Sequence, residues 1–112
     1  MHGASAGGEL AIALGLRHPD VYGVVLSASP GAGYQPPDQL PRPLPRAYFV
    51  AGTLEPFFLA NAVRWADALD AAGAEVVMRE RAAGHDDAMW RSELPRMIEW
   101  AFGAADGRRP TR

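Results

Sequence analysis

Three side chains able to share acyl-transfer chemistry are spread along this 112-residue sequence: Ser5, Glu55 and His85. Ser5 is the centre of Gly3-Ala4-Ser5-Ala6-Gly7, a G-x-S-x-G string extended by Gly8. A serine hydroxyl is a poor nucleophile until a base takes its proton, and an imidazole base needs a carboxylate to fix its tautomer and stabilise the imidazolium. Glu55 stands in Gly52-Thr53-Leu54-Glu55-Pro56, and His85 in Ala83-Gly84-His85-Asp86-Asp87, so the chain order is serine, acid, histidine. Each signal has a plainer reading. G-x-S-x-G alone is weak in a chain rich in Gly, Ala and Ser; Glu55 suits the dipole of a helix starting at Pro56. Asp86 and Asp87 suit the cap of the last helix, with Asp86 the substitute acid if Glu55 fails.

The elements that must position these residues alternate. Ala6 to Leu16 is nearly all apolar or small, which predicts a helix buried on more than one side, ended by His18-Pro19. Val21 to Ser27 lacks polar alternation and predicts a strand covered on both faces. With the chain starting so close to Gly3, no strand is expected before the elbow, which leaves Val21 to Ser27 as an unprotected, apolar edge. Ser29 to Pro45 holds six of the ten prolines and predicts an irregular connection. Tyr48 to Ala51 predicts a second strand. Next comes a helix from Pro56 to Gly73 with Phe58, Leu59, Ala62, Trp65, Ala66 and Leu69 inward and Asn61, Arg64, Asp67 and Asp70 on the wetter side. Glu75 to Arg81 reads as a third strand, charged as a sheet edge is. The last helix, Asp87 to Phe102, carries Trp90, Leu94, Met97, Ile98 and Ala101 on one stripe, and Pro95 is expected to kink or split it. The alternation is that of a doubly wound α/β sheet, which gathers Ser5, Glu55 and His85 on loops after the strand C-terminal ends. The expected division is a domain over 1–103 and a frayed, Gly- and Arg-rich tail over 104–112.

These carriers resemble the C-terminal half of an α/β-hydrolase serine esterase of the enterochelin-esterase and esterase-D-like type. The resemblance covers most of the chain. It rests on Gly3-Ala4-Ser5-Ala6-Gly7-Gly8, on His18-Pro19-Asp20-Val21-Tyr22-Gly23, on Gly52-Thr53-Leu54-Glu55, and above all on Gly84-His85-Asp86-Asp87-Ala88-Met89-Trp90-Arg91 continuing to Leu94-Pro95. It implies that Ser5 is the nucleophile, Glu55 the acid and His85 the base, and that the Ala6 N–H, following the nucleophile, is one oxyanion donor. It also implies a small-molecule ester substrate and no cofactor. In such a frame the family's N-terminal strands and the loop giving a second oxyanion N–H fall outside this chain. The expectation is a truncated sheet of about three strands, impaired turnover and self-association through an exposed edge. Ser27 to Tyr34 lacks the tryptophan of siderophore-ester relatives, which argues against a catecholate. Two other readings fit the same residues: a non-catalytic remnant or association subunit, and a fragment of a serine peptidase of the prolyl-oligopeptidase type.

Composition bounds the rest. A formal net charge of −2 argues against nucleic-acid and anionic-membrane surfaces. All 11 basic residues are arginine, which reads as coding bias. With no cysteine, disulfides, thiolate metal sites and a cysteine nucleophile are excluded. No leader pattern and no apolar run of membrane length is present, so a cytoplasmic location is expected. His2 and His18 have no ligand spacing, so no metal is expected. Trp65, Trp90 and Trp100 read as core, and Tyr34 as a loop residue with a cleft-lining alternative.

Overall fold

Every strand of the sheet runs in the same direction, as long crossover connections between successive strands require: the helix Ala6–Arg17, the irregular segment over 29–45, and the helix Pro56–Ala71. The computed structural model describes residues 1–103; the tail expected over 104–112 lies outside the described residues. The elements in order are β1 (His2–Ala4), α1 (Ala6–Arg17), β2 (Val24–Ala28), β3 (Arg46–Gly52), α2 (Pro56–Ala71), β4 (Val76–Arg81) and α3 (Asp87–Phe102). The strand order is β1-β2-β3-β4, all parallel.

Side chains alternate across β2 and β3, and each face has its own helical cover. Val25, Ala47, Phe49 and Ala51 pack with Ala11, Ile12 and Leu16 of α1 and with Ala62, Trp65 and Leu69 of α2. Leu26, Ala28, Tyr48 and Val50 point the other way, onto Met89, Met97 and Ala101 of α3. Burial of a large apolar side chain such as Phe49 or Leu69 contributes about 1.5–3 kcal/mol. Continuous apolar runs therefore mark β2 and β3 as central strands, as their sequence implied.

Several expectations change. A strand does precede the elbow: His2, Gly3 and Ala4 pair with Leu26, Ser27 and Ala28. The sheet thus has four strands, and β2 lies inside it with β1 at the edge. Val21 and Tyr22 belong to a turn, with both N–H groups donating to the His18 carbonyl, and β2 starts only at Val24. Pro95 sits inside α3 without ending it. The missing N–H costs one hydrogen bond, and the buried stripe Met89, Glu93, Met97 and Ala101 holds the helix on both sides of it. Ile98 is exposed, whereas Asn61 is buried and donates through Nδ2 to the carbonyls of Pro30 and Gly31.

The charges of β4 do more than decorate an edge. Glu93 of α3 is fully buried and accepts from the Tyr48 hydroxyl of β3 and from Arg81 Nη1 at 2.7 Å, while Arg79 Nε pairs with it at 2.6 Å. Burial alone would raise the Glu93 carboxyl; the Tyr48 and Arg81 hydrogen bonds and the Arg79 charge outweigh it and hold the carboxyl below its usual range. Burial, followed by the contact with Glu93, pushes the Tyr48 hydroxyl well up. This cluster ties α3 to the two strands beneath it. Among the described residues no helix is long and apolar enough to cross a membrane.

Candidate active site

The three residues singled out from the sequence stand at the C-terminal ends of β1, β3 and β4, on one rim of the sheet. Ser5 makes the turn between β1 and α1 with φ 56° and ψ −122°, a conformation that costs a non-glycine residue about 1–3 kcal/mol. The surroundings hold it there. Its N–H donates to the Ala28 carbonyl at 2.9 Å, and its own carbonyl accepts from Glu9 N at 3.1 Å and from Gly31 N at 3.2 Å. The flanking glycines allow the close fit: a Cβ on Gly3 would collide with the Gly7 carbonyl, and one on Gly8 would come within 2.8 Å of Ser27 Oγ. The Ser5 hydroxyl makes no helix-capping bond.

That hydroxyl lies 3.0 Å from His85 Nε2, and His85 Nδ1 lies 2.5 Å from Glu55 Oε1. With its Nδ1 proton donated to Glu55, the imidazole presents the Nε2 lone pair to the Ser5 O–H. Glu55 is the N-cap residue of α2, but its side chain makes no capping bond. Its buried carboxylate instead accepts on Oε2 from Gly52 N at 2.7 Å and from Ser29 Oγ at 2.5 Å. Asp86, the substitute acid, is committed as the N-cap of α3, where its carboxylate accepts from Met89 N at 2.8 Å.

Aromatic rings hold the imidazole. Phe58 stacks on it with centroids 3.9 Å apart, and Trp90 meets it edge-on at 4.7 Å. Ala6 opens α1, where the first N–H groups of a helix have no internal acceptor and carry its positive dipole end. Beside Ala6 lies a hollow of about 250 Å³ lined by Glu9, Leu10, Ala13 and Tyr34. Tyr34 also packs against Trp65, ring centroids 5.1 Å apart, so it serves both core and cleft. Chemically, the arrangement can deprotonate a serine, hold the resulting imidazolium against a carboxylate, and offer a backbone N–H to a developing oxyanion. Sequence reasoning missed Ser29 and Phe58 and placed Trp90 in the core. No cluster of three or more His, Asp or Glu among the described residues could hold a metal ion.

A parallel sheet flanked by helices, with a strained serine after one strand and an acid and a histidine after later ones, corresponds to the C-terminal part of the α/β-hydrolase fold. The solved structures it resembles include several esterases. Enterochelin esterase from Shigella flexneri superposes with a TM-score of 0.71 at 25% identity, over 87% of this chain and 28% of that one. A ferulic acid esterase gives 0.72 at 23% identity, over 88% and 49%. Brefeldin A esterase, a bacterial homologue of human hormone-sensitive lipase, gives 0.65 at 20% identity, over 89% and 44%. The chain therefore spans less than half the length of each of these three structures. No protein-family model and no curated protein matches it.

Proposed function

We propose that this chain carries the reaction centre of a serine ester hydrolase. Ser5 is the nucleophile, His85 the general base and acid, Glu55 the orienting carboxylate, and the Ala6 N–H an oxyanion donor. His85 Nε2 takes the Ser5 proton as Oγ attacks the ester carbonyl. The tetrahedral intermediate collapses as the alkoxy group leaves with that proton, giving alcohol and acyl-Ser5. Water, deprotonated by the same nitrogen, then releases the acid and restores Ser5. The observation that carries this reading is the continuous contact of Ser5 Oγ, His85 and Glu55, at 3.0 and 2.5 Å. The esterase names of the structural neighbours support a small-molecule ester as substrate.

The test is hydrolysis of p-nitrophenyl acetate and butyrate by the purified chain beside Ser5→Ala and Glu55→Gln. Turnover should vanish with Ser5→Ala and fall steeply with Glu55→Gln; equal rates in all three would reject the assignment. The outer edge of β1, unpaired among the described residues, favours a second role in strand pairing with another copy. Size-exclusion chromatography over a concentration series would show a dimer that dissociates on dilution, and a monomer at every concentration would exclude it.

A further inference from the structure

Two side chains at the site have no part in the acyl-transfer steps, yet their hydrogen bonds lead into it. Ser29, at the end of β2, is fully buried with φ 45°, a left-handed backbone that glycine would occupy without strain. Its hydroxyl has one proton. Trp90 Nε1, which can only donate, gives its hydrogen to Ser29 Oγ at 2.9 Å, so the serine proton is directed onto Glu55 Oε2 at 2.5 Å. Gly52 N donates to the same oxygen at 2.7 Å. Oε2 is thereby held by two donors and Oε1 is left facing His85.

We propose that Ser29 and Trp90 are positioning residues, a hydrogen-bonded brace that fixes the plane of the Glu55 carboxylate and, through it, the orientation of the His85 ring. The proposal rests on the hydrolase reading of Ser5, His85 and Glu55. Trp90 acts twice, because its ring edge also packs on the imidazole whose partner its N–H helps to orient. The strained backbone at Ser29 holds its hydroxyl between Trp90 Nε1 and Glu55 Oε2. Without it, a carboxylate held on one side only can rotate, and a displacement of about 1 Å at a reacting group costs up to about 100-fold in rate.

Ser29→Gly removes the hydroxyl at a φ that glycine adopts freely, and Trp90→Phe removes the N–H while leaving a ring beside His85. Three quantities would be measured for each: the thermal midpoint, kcat and KM for p-nitrophenyl acetate, and the low-field proton resonance of His85 Nδ1, identified by its absence in His85→Gln. In Ser29→Gly the relief of left-handed strain is offset by the Trp90 N–H and Glu55 Oε2 that lose their partner, so its midpoint should stay near wild type while kcat falls roughly 10- to 100-fold at unchanged KM and the Nδ1 proton moves upfield. Trp90→Phe should move kcat and the proton in the same direction by less. Wild-type kcat and an unmoved proton in both variants would overturn the brace, as would rate losses that only track a loss of stability. If Ser5→Ala proves as active as wild type, the hydrolase reading fails separately. The Nδ1 proton, which needs no turnover, then decides the brace: a shift in Ser29→Gly supports it and no shift rejects it.

Discussion

Replacing Ser5 by glycine should make the protein more stable, and replacing it by alanine should not. At φ 56° and ψ −122° the Cβ of residue 5 is crowded by its own backbone, a cost of about 1–3 kcal/mol. Glycine escapes that cost but has more freedom in the unfolded chain, which returns about 0.5–1 kcal/mol. Relative to Ser5→Ala the net gain is about 0–2.5 kcal/mol, at about 4 °C in the midpoint per kcal/mol for a domain near 100 residues. Alanine is the control that isolates the backbone: it loses the same bond to His85, keeps the Cβ, and keeps the strain. No capping bond is lost in either variant, because Ser5 makes none. Calorimetric or circular-dichroism melts of the three proteins should order Ser5→Gly above Ser5→Ala. A glycine variant melting at or below the alanine variant would refute the claim that folding energy is stored at this turn.

Two further outcomes concern packing and charge. Glu93→Gln should destabilise at neutral pH by about 3 kcal/mol, the low end for breaking a buried pair, since Arg79 and Arg81 keep partial access to water. Because the folded state holds the Glu93 carboxyl below its usual range, its stabilisation is present above the ordinary glutamate range and lost as pH falls through the depressed value. Urea midpoints should therefore drop on acidification more steeply in wild type than in Glu93→Gln; parallel profiles would contradict this. Gly8→Ala should cost about 1–3 kcal/mol, since its Cβ would lie 2.8 Å from Ser27 Oγ and 2.9 Å from the Ala28 carbonyl. Gly7→Ala meets nothing within 4 Å and should be neutral or stabilising by up to about 1 kcal/mol, so equal melts for the two would show that α1 does not press on β2 as described.

The alternation of helices and strands and the common rim of Ser5, Glu55 and His85 were legible because each of the three sits at a place with its own local grammar. Small residues surround Ser5, a Gly-to-Pro turn carries Glu55, and His85 falls between the end of a strand and a capped helix. β1 escaped notice because three residues are too few to show a period. Val21 and Tyr22 misled because their β propensity is overridden by the turn after Pro19. Asn61 looked wet on the helical pattern, but the connection after β2, which has no periodicity to reveal it, folds over α2 and supplies its acceptors. Nothing in Ser27-Ala28-Ser29 tells which hydroxyl faces an acid: Ser27 Oγ donates to the Gly8 carbonyl and Ser29 Oγ to Glu55. Trp90 fell on a stripe that packing alone would explain, and its N–H partner lies 61 positions away.

The contact between Ser5 and His85 joins positions 80 apart in a chain of 112. Closing so long a loop cannot precede the stacking of β2, β3 and β4 between them, because the entropy of closure must be met by contacts already made. If Ser5 is the nucleophile proposed above, a reagent that labels an activated serine would therefore count fully assembled molecules and ignore partly folded ones. Fraying of β4 at the far edge would separate His85 from Ser5 without touching the turn that carries the serine.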